Sequence, residues 1–163
     1  NIDLFWGDER FVSDKSKNSN YNLAYNLLIK KININKKNIF KIDTGKKNIS
    51  KTCNDYKLKI NKYFKGKKIN FDVFLLGMGM DGHIASIFPH SVELKNNFLV
   101  KSILRKDFHR ITLSLNIINN SKNIILWLNK KSKTSAFKRL RKKGKNIPVN
   151  CLRGTNTFLF KIN

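Results

Sequence analysis

Apolar positions along the chain fall into two periods. Short apolar runs at residues 2–6, 38–42, 71–76, 98–103, 111–115, 124–128 and 157–162 read as strands. Between them lie stretches with helical spacing. Ser19 is placed to cap a helix whose one face carries Leu23, Ala24, Leu27 and Leu28. A second helix is expected over Ile49–Phe64, with Cys53, Tyr56, Ile60 and Phe64 near one side and Gly66 as its stop. A third, basic and amphipathic, runs from Ser132 to Lys143 around Ala136, Phe137 and Leu140. Phe71–Leu76 is the strongest strand, apolar on both faces as a central parallel strand should be. Strands alternating with helices predict an α/β fold: three layers, a mostly parallel, Rossmann-like sheet, helices on both faces. With no repeat and no linker composition, residues 1–163 are expected to form a single domain.

In such sheets ligands sit beyond the carboxyl ends of the strands, which directs attention to the loops after Trp6 and after Leu76. The first reads Gly7-Asp8-Glu9-Arg10 and is expected to be a polar loop. Its guanidinium can grip a phosphate or carboxylate with paired hydrogen bonds. The second reads Gly77-Met78-Gly79-Met80-Asp81-Gly82-His83. Three glycines free the backbone for positive φ and close approach to a ligand. Backbone N–H groups entering a following helix would favour an anion or a developing oxyanion. His83 can move a proton near neutral pH, and Asp81 can orient its ring or the substrate. The loop lacks the third glycine of a dinucleotide fingerprint and the Lys-Ser/Thr of a P-loop. His90 and His109 have no partner at metal-ligand spacing.

Charge changes the picture more than bulk composition does. The chain of 163 residues carries 34 Lys and Arg against 10 Asp and Glu, a net +24. Such an excess suits polyanion partners. Lys, Asn and Ile dominate while Arg is scarce, a bias that A- and T-rich codons produce on every exposed face. Most of the charge is therefore assigned to composition. The test is distribution, because a binding surface concentrates charge and drift scatters it. Nine basic residues lie between Lys130 and Lys145, without a base-reading or aromatic-stacking motif, so that stretch is read as a solvated helix face. No segment approaches the roughly 20 apolar residues a membrane span needs. The two cysteines, Cys53 and Cys151, are far apart and fit free thiols in a reducing compartment.

Several segments together resemble the 6-phosphogluconolactonase family. They are Trp6-Gly7-Asp8-Glu9-Arg10-Phe11-Val12, then Ser19-Asn20-Tyr21 with Ala24. The strongest match is Phe71-Asp72 followed by Leu75 through Pro89, with its Asp-Gly-His and Ala-Ser-x-Phe-Pro elements. Arg110-Ile111-Thr112-Leu113 follows, then Lys133 ahead of Ala136. A sister family, the glucosamine-6-phosphate deaminases, shares the Asp-Gly-His loop but continues differently, and Asp8-Glu9-Arg10 with Ala85-Ser86-Ile87-Phe88-Pro89 favours the lactonase side.

The resemblance implies hydrolysis of 6-phosphoglucono-1,5-lactone in the oxidative pentose phosphate pathway, in the cytoplasm, without metal or organic cofactor. His83 and Asp81 are the implied catalytic residues. Arg10, Lys133, Gly79, Gly82, Asp8 and Glu9 are the implied substrate-binding residues. The expected partner is a phosphorylated sugar lactone, with no specific nucleic acid and no membrane. A deaminase-like isomerase and a basic nucleic-acid module are the alternatives. Relative to the family pattern, a leading strand–helix segment with a Gly-Gly-Ser/Thr loop is missing, so the chain is expected to be truncated at its start. Asn129-Lys130-Lys131-Ser132 also stands where small residues are usual, which loosens the placement of Lys133.

Overall fold

The computed structural model describes residues 2–45, 48–154 and 156–161. In chain order the elements are β1 (Leu4–Phe5), β2 (Asp8–Arg10), α1 (Asn20–Leu27), β3 (Ile39–Phe40), α2 (Ile49–Phe64), β4 (Val73–Gly77), β5 (Val100–Ile103), β6 (Arg110–Leu113), α3 (Leu115–Asn119), β7 (Asn123–Leu128), α4 (Lys131–Leu140) and β8 (Asn156–Lys161). The fold is α/β with mixed sheets. The chain divides into two compact units, Asn1–Lys67 with Val100–Thr112 and Lys68–Leu99 with Leu113–Asn163.

In the first unit β1 pairs in parallel with β3, and β2 runs antiparallel to β6 in a sheet ordered β2-β6-β5. The expected polar loop at Asp8–Arg10 is thus a strand, in register with Thr112, Ile111 and Arg110. Its partner lies a hundred residues away, which no local pattern reveals. Helix α2 spans the residues its periodicity predicts. Asn48 caps it through a bond from the Lys51 amide, Thr52, Tyr56 and Ile60 are buried, and Lys65 closes it in the left-handed region ahead of Gly66. The Tyr56 hydroxyl, fully buried, donates to the Trp6 carbonyl at 2.8 Å and accepts from the Trp6 amide at 2.9 Å. That pair of bonds fixes the chain between β1 and β2. Phe5 stacks on Phe40 at 4.4 Å, with Tyr63 edge-on to both.

Ser19 caps α1 by accepting from the Asn22 amide at 3.1 Å. The apolar residues of that helix do not form core, however. Leu23, Leu27 and Leu28 are exposed, and α1 buries none of its residues. Its anchorage is polar and sits at its first turn, as described below.

In the second unit β4, β7 and β8 form a parallel sheet in that order. One face holds buried Phe74, Leu76, Ile124, Leu126 and Leu128. The alternate positions on β4 and β7 are exposed: Val73, Leu75 and Trp127, continued on β8 by Phe158 and Phe160. The strand expected to be apolar on both faces is so in sequence, but its second face is bare. The last residue of the expected final strand, Ile162, lies outside the described residues. Among the described residues no helix is long and apolar enough to cross a membrane. Cys53 and Cys151 are free thiols, half-buried, and burial raises both above the ordinary thiol pKa.

Candidate functional site

The chemistry-bearing residues of the second unit gather at the carboxyl end of β4, where the chain leaves the sheet at Gly77 and turns on itself. The Gly79 amide donates to the His83 carbonyl at 2.9 Å, and the Gly82 amide donates to the Gly79 carbonyl at 3.0 Å. A bridge between Met78 and Ile84 and another between Ile84 and Ile87 continue the tight course. No helix follows the loop. Ala85 takes a φ of 48°, and the segment to Pro89 is made of turns. The Val149 amide donates to the Gly82 carbonyl at 3.2 Å, tying the loop to the segment after α4.

Within this frame Asp81 and His83 form a dyad. His83 Nδ1 lies 2.6 Å from Asp81 Oδ1, and the His83 amide donates to the same oxygen at 3.2 Å. An ionised carboxylate only accepts, so Nδ1 carries the proton and Nε2 presents a lone pair. The imidazole is about a third exposed and rests against Phe88, ring centroids 4.7 Å apart. It is therefore held on one edge and one face while remaining open to solvent.

The glycines serve this arrangement in different ways. A Cβ on Gly79 would fall 2.1 Å from His83 Cε1, 2.2 Å from its Nδ1 and 2.7 Å from Asp81 Oδ1. Only a residue without a side chain lets the imidazole lie there. Gly82 has a φ of 90°, and its Cβ would lie 2.5 Å from Ile147 Cγ2 and 3.0 Å from Leu140 Cδ1. A Cβ on Gly77 would meet nothing within 4 Å among the described residues. The expectation that Gly79 and Gly82 offer N–H groups to an oxyanion meets a different geometry, because both amides are engaged inside the loop. Lys133 sits half-buried in the first turn of α4, two turns before the Leu140 against which the loop packs. The N-cap of α4 is Lys130, which supplies no capping acceptor, and Lys131 and Lys133 stand at the positive end of the helix dipole.

In the first unit β2 carries the other expected group. Glu9, 1% exposed, accepts four hydrogen bonds: from the Arg10 amide at 2.8 Å, the Asn20 amide at 2.7 Å, the Tyr21 amide at 2.7 Å and the Ser19 hydroxyl at 3.0 Å. It is the anion at the start of α1, where two of these donors, the Asn20 and Tyr21 amides, would otherwise be orphans. Burial pushes its carboxyl above the ordinary range, while the four hydrogen bonds pull the other way. Asp8 takes the Asn20 side-chain amide on its carbonyl at 3.0 Å and its Oδ1 at 3.3 Å. Both carboxylates expected to face substrate thus tie β2 to α1.

Arg10 differs. Its Nη1 donates to the Asn18 carbonyl at 3.0 Å, but its Nε is buried without a partner among the described residues. Directly across the ladder stands Arg110, whose Nη2 pairs with Asp107. Two like charges in register on one sheet repel, and an anion between them would offset that cost. This cross-strand arginine pair could not be read from sequence spacing. His109 accepts from the Arg105 amide at 3.4 Å and His90 sits at a φ of 59°, each a loop role. Among the described residues, no group of three His, Cys, Asp or Glu side chains could hold a metal ion.

Comparison with known proteins gives a consistent picture. A family model described as glucosamine-6-phosphate isomerases/6-phosphogluconolactonase matches residues 1–160. A probable 6-phosphogluconolactonase 1 of Arabidopsis thaliana is 31% identical over 150 residues, covering 82% of this chain and 54% of that protein. A 6-phosphogluconolactonase of Chlamydia trachomatis is 33% identical over 142 residues, covering 85% of this chain and 53% of that protein. Among solved structures, a 6-phosphogluconolactonase of Thermotoga maritima superposes with a TM-score of 0.85 at 30% identity, over 98% of this chain and 72% of its own. The chain spans about half the length of the curated relatives it matches.

Proposed function

The chain belongs to the glucosamine-6-phosphate isomerase/6-phosphogluconolactonase family, and from that premise we propose that it hydrolyses 6-phosphoglucono-1,5-lactone to 6-phosphogluconate, with His83 as the base. The observation that supports this most directly is the 2.6 Å bond between His83 Nδ1 and Asp81 Oδ1 in a loop where Gly79 makes room for the ring. A lactone is an activated ester, so water suffices as nucleophile. His83 Nε2 takes a proton as the water oxygen bonds to the lactone carbonyl carbon. Asp81 keeps the proton on Nδ1 and stabilises the imidazolium that forms. Collapse of the tetrahedral intermediate breaks the bond to the ring oxygen, which receives the proton from Nε2. The products are a carboxylate, after loss of its own proton, and an open-chain hydroxyl.

Negative charge on the carbonyl oxygen and on the distant phosphate needs cations. Within the unit that carries His83, Lys133 is the residue we assign to the phosphate; Arg10, in the other unit, we assign as an anion-binding residue of its own strand pair, its buried Nε having no partner among the described residues. Holding the phosphate fixes the reacting carbon and lowers the entropic cost of attack. The setting we propose is cytoplasmic, with no metal or organic cofactor.

The test is direct. The lactone is generated in place from glucose 6-phosphate, and its hydrolysis is followed with a coupled dehydrogenase after subtracting the spontaneous rate. The chain should accelerate hydrolysis, and His83→Ala should fall to the spontaneous rate. No acceleration by the unmodified chain would remove the proposed activity, and near-normal turnover by His83→Ala would remove His83 from it.

A further inference from the structure

Of the 34 basic residues, nine fall within one stretch of sixteen, and the site above uses little of that stretch. Nine of the residues from Lys130 to Lys145 are basic, and no acidic residue follows Asp107 to the end of the sequence. Structure turns that run into a surface. Ala136 and Leu140 are buried and fix the inward side of α4. Lys131 and Lys138 are exposed on the opposite side, as a 3.6-residue repeat requires, and Arg139 is exposed on the flank between. The 3₁₀ turn Arg141–Lys143 and Lys145 continue the exposed cations past the helix end. Among the described residues none of these side chains meets a carboxylate. Lys133 is half-buried and stands apart from this face, so the two uses of α4 do not compete.

We propose that this face binds the phosphate backbone of double-stranded nucleic acid, independently of base sequence; this goes beyond the lactonase reading and does not depend on it. Charge complementarity selects a polyanion. The exposed side chains on this face are lysine and arginine, with serine the main neutral neighbour and no Asn, Gln, Asp or Glu among them, a set suited first to phosphate oxygens. The apolar side of α4 is spent on the core, which removes the face an interfacial helix would insert into lipid. Among the described residues α4 and the turn after it carry no exposed aromatic ring to stack an unpaired base; Phe137, the ring on α4, is only half-exposed and lies under the Arg141 guanidinium at 5.8 Å. A helix followed by a 3₁₀ turn reaches about 20 Å, enough to follow one groove edge of a duplex.

The experiment is a titration of the full chain against a 20-base-pair mixed-sequence DNA duplex from about 50 to 200 mM salt. Six phosphate contacts would weaken binding about 10³-fold over that range. The triple variant Lys138→Gln/Arg139→Gln/Lys142→Gln should lower the log–log salt slope by about 2.7. A control of equal charge change, Lys30→Gln/Lys36→Gln/Lys37→Gln, should leave the slope unaltered. A second patch variant, Lys131→Gln/Lys143→Gln/Lys145→Gln, answers the question if the first fails to fold by circular dichroism. Equal losses in patch and control variants would assign binding to net charge and overturn the proposal. So would absence of duplex binding at low salt, or binding to phosphatidylserine vesicles in place of the duplex.

Discussion

Three glycines in one loop give three different outcomes on conversion to alanine, and Gly79 is the decisive one. A methyl there would stand 2.1 Å from His83 Cε1 and 2.2 Å from Nδ1. Carbon contacts settle at about 3.5–4.0 Å, so the ring must retreat by more than about 1 Å. The 2.6 Å bond to Asp81 cannot survive that movement. A misplacement of about 1 Å costs roughly 10²-fold in rate, and loss of the oriented tautomer adds to it. We expect kcat/KM for lactone hydrolysis to fall between about 10²- and 10³-fold, or about 3–4 kcal/mol of transition-state stabilisation. Stability should change little. The φ of Gly79 is not in the left-handed region, the displaced ring has solvent to turn into, and alanine stiffens the unfolded chain by about 0.4–1 kcal/mol.

The neighbours supply the contrast. Gly77→Ala meets nothing within 4 Å and should retain activity. Gly82→Ala places a methyl 2.5 Å from Ile147 at a φ of 90° and should lose stability by about 1–3 kcal/mol. The melting temperature of a domain this size moves about 2–4 °C per kcal/mol, so calorimetry separates the three variants. Imidazole ¹⁵N spectra supply a readout independent of turnover, since they report which nitrogen of His83 carries the proton. A Gly79→Ala protein that kept both the wild-type rate and the Nδ1–H tautomer would refute the reasoning.

Asp81→Asn should preserve the loop yet free the imidazole to adopt the wrong tautomer, lowering kcat by about 10²–10⁴ with little change in KM; steady-state kinetics with lactone generated in place decides it. Glu9→Gln sets an NH₂ group against backbone amides in a buried site, and should cost about 3 kcal/mol, read as a melting temperature lower by about 6–12 °C. The same variant tests the sign of a titration. Burial raises the Glu9 carboxyl above 4.5, so its contribution to stability is complete below that pH and is lost as pH rises through the raised value; Glu9→Gln should flatten this part of the stability profile. Leu75→Glu changes the most exposed residue of the bare sheet face, at 72%, and should suppress self-association in light scattering while leaving the melting temperature nearly unmoved.

What the sequence disclosed, and what it hid, divides by the range of the forces involved. Helix α2 was legible to its ends because every determinant is local: the Asn48 cap, buried positions four apart, and a left-handed close before Gly66. The Asp-Gly-His loop was legible as a candidate site because strand, glycines and imidazole are contiguous. Strand β2 was not, since Asp8-Glu9-Arg10 looks like a turn until β6 is brought beside it. Nor was the role of Glu9, whose four donors are three backbone amides from two segments and one hydroxyl, or the opposition of Arg10 and Arg110. The helix α1 shows the opposite error, for Leu23, Leu27 and Leu28 have core spacing without a core against them. Periodicity states which face a helix would bury, not whether a partner is present to bury it. Gly79 belongs to a third category. Glycine in a loop invites an explanation from φ or from exposed amides, yet here the amide is occupied and φ is ordinary. The constraint is the volume of the imidazole four residues later, so a glycine in an Asp-Gly-His loop carries information about the side chain that must pass over it. The same reasoning makes the dyad and Gly79 one unit: a chain that keeps His83 and Asp81 but substitutes Gly79 should have lost the proposed base as surely as one that lost the histidine.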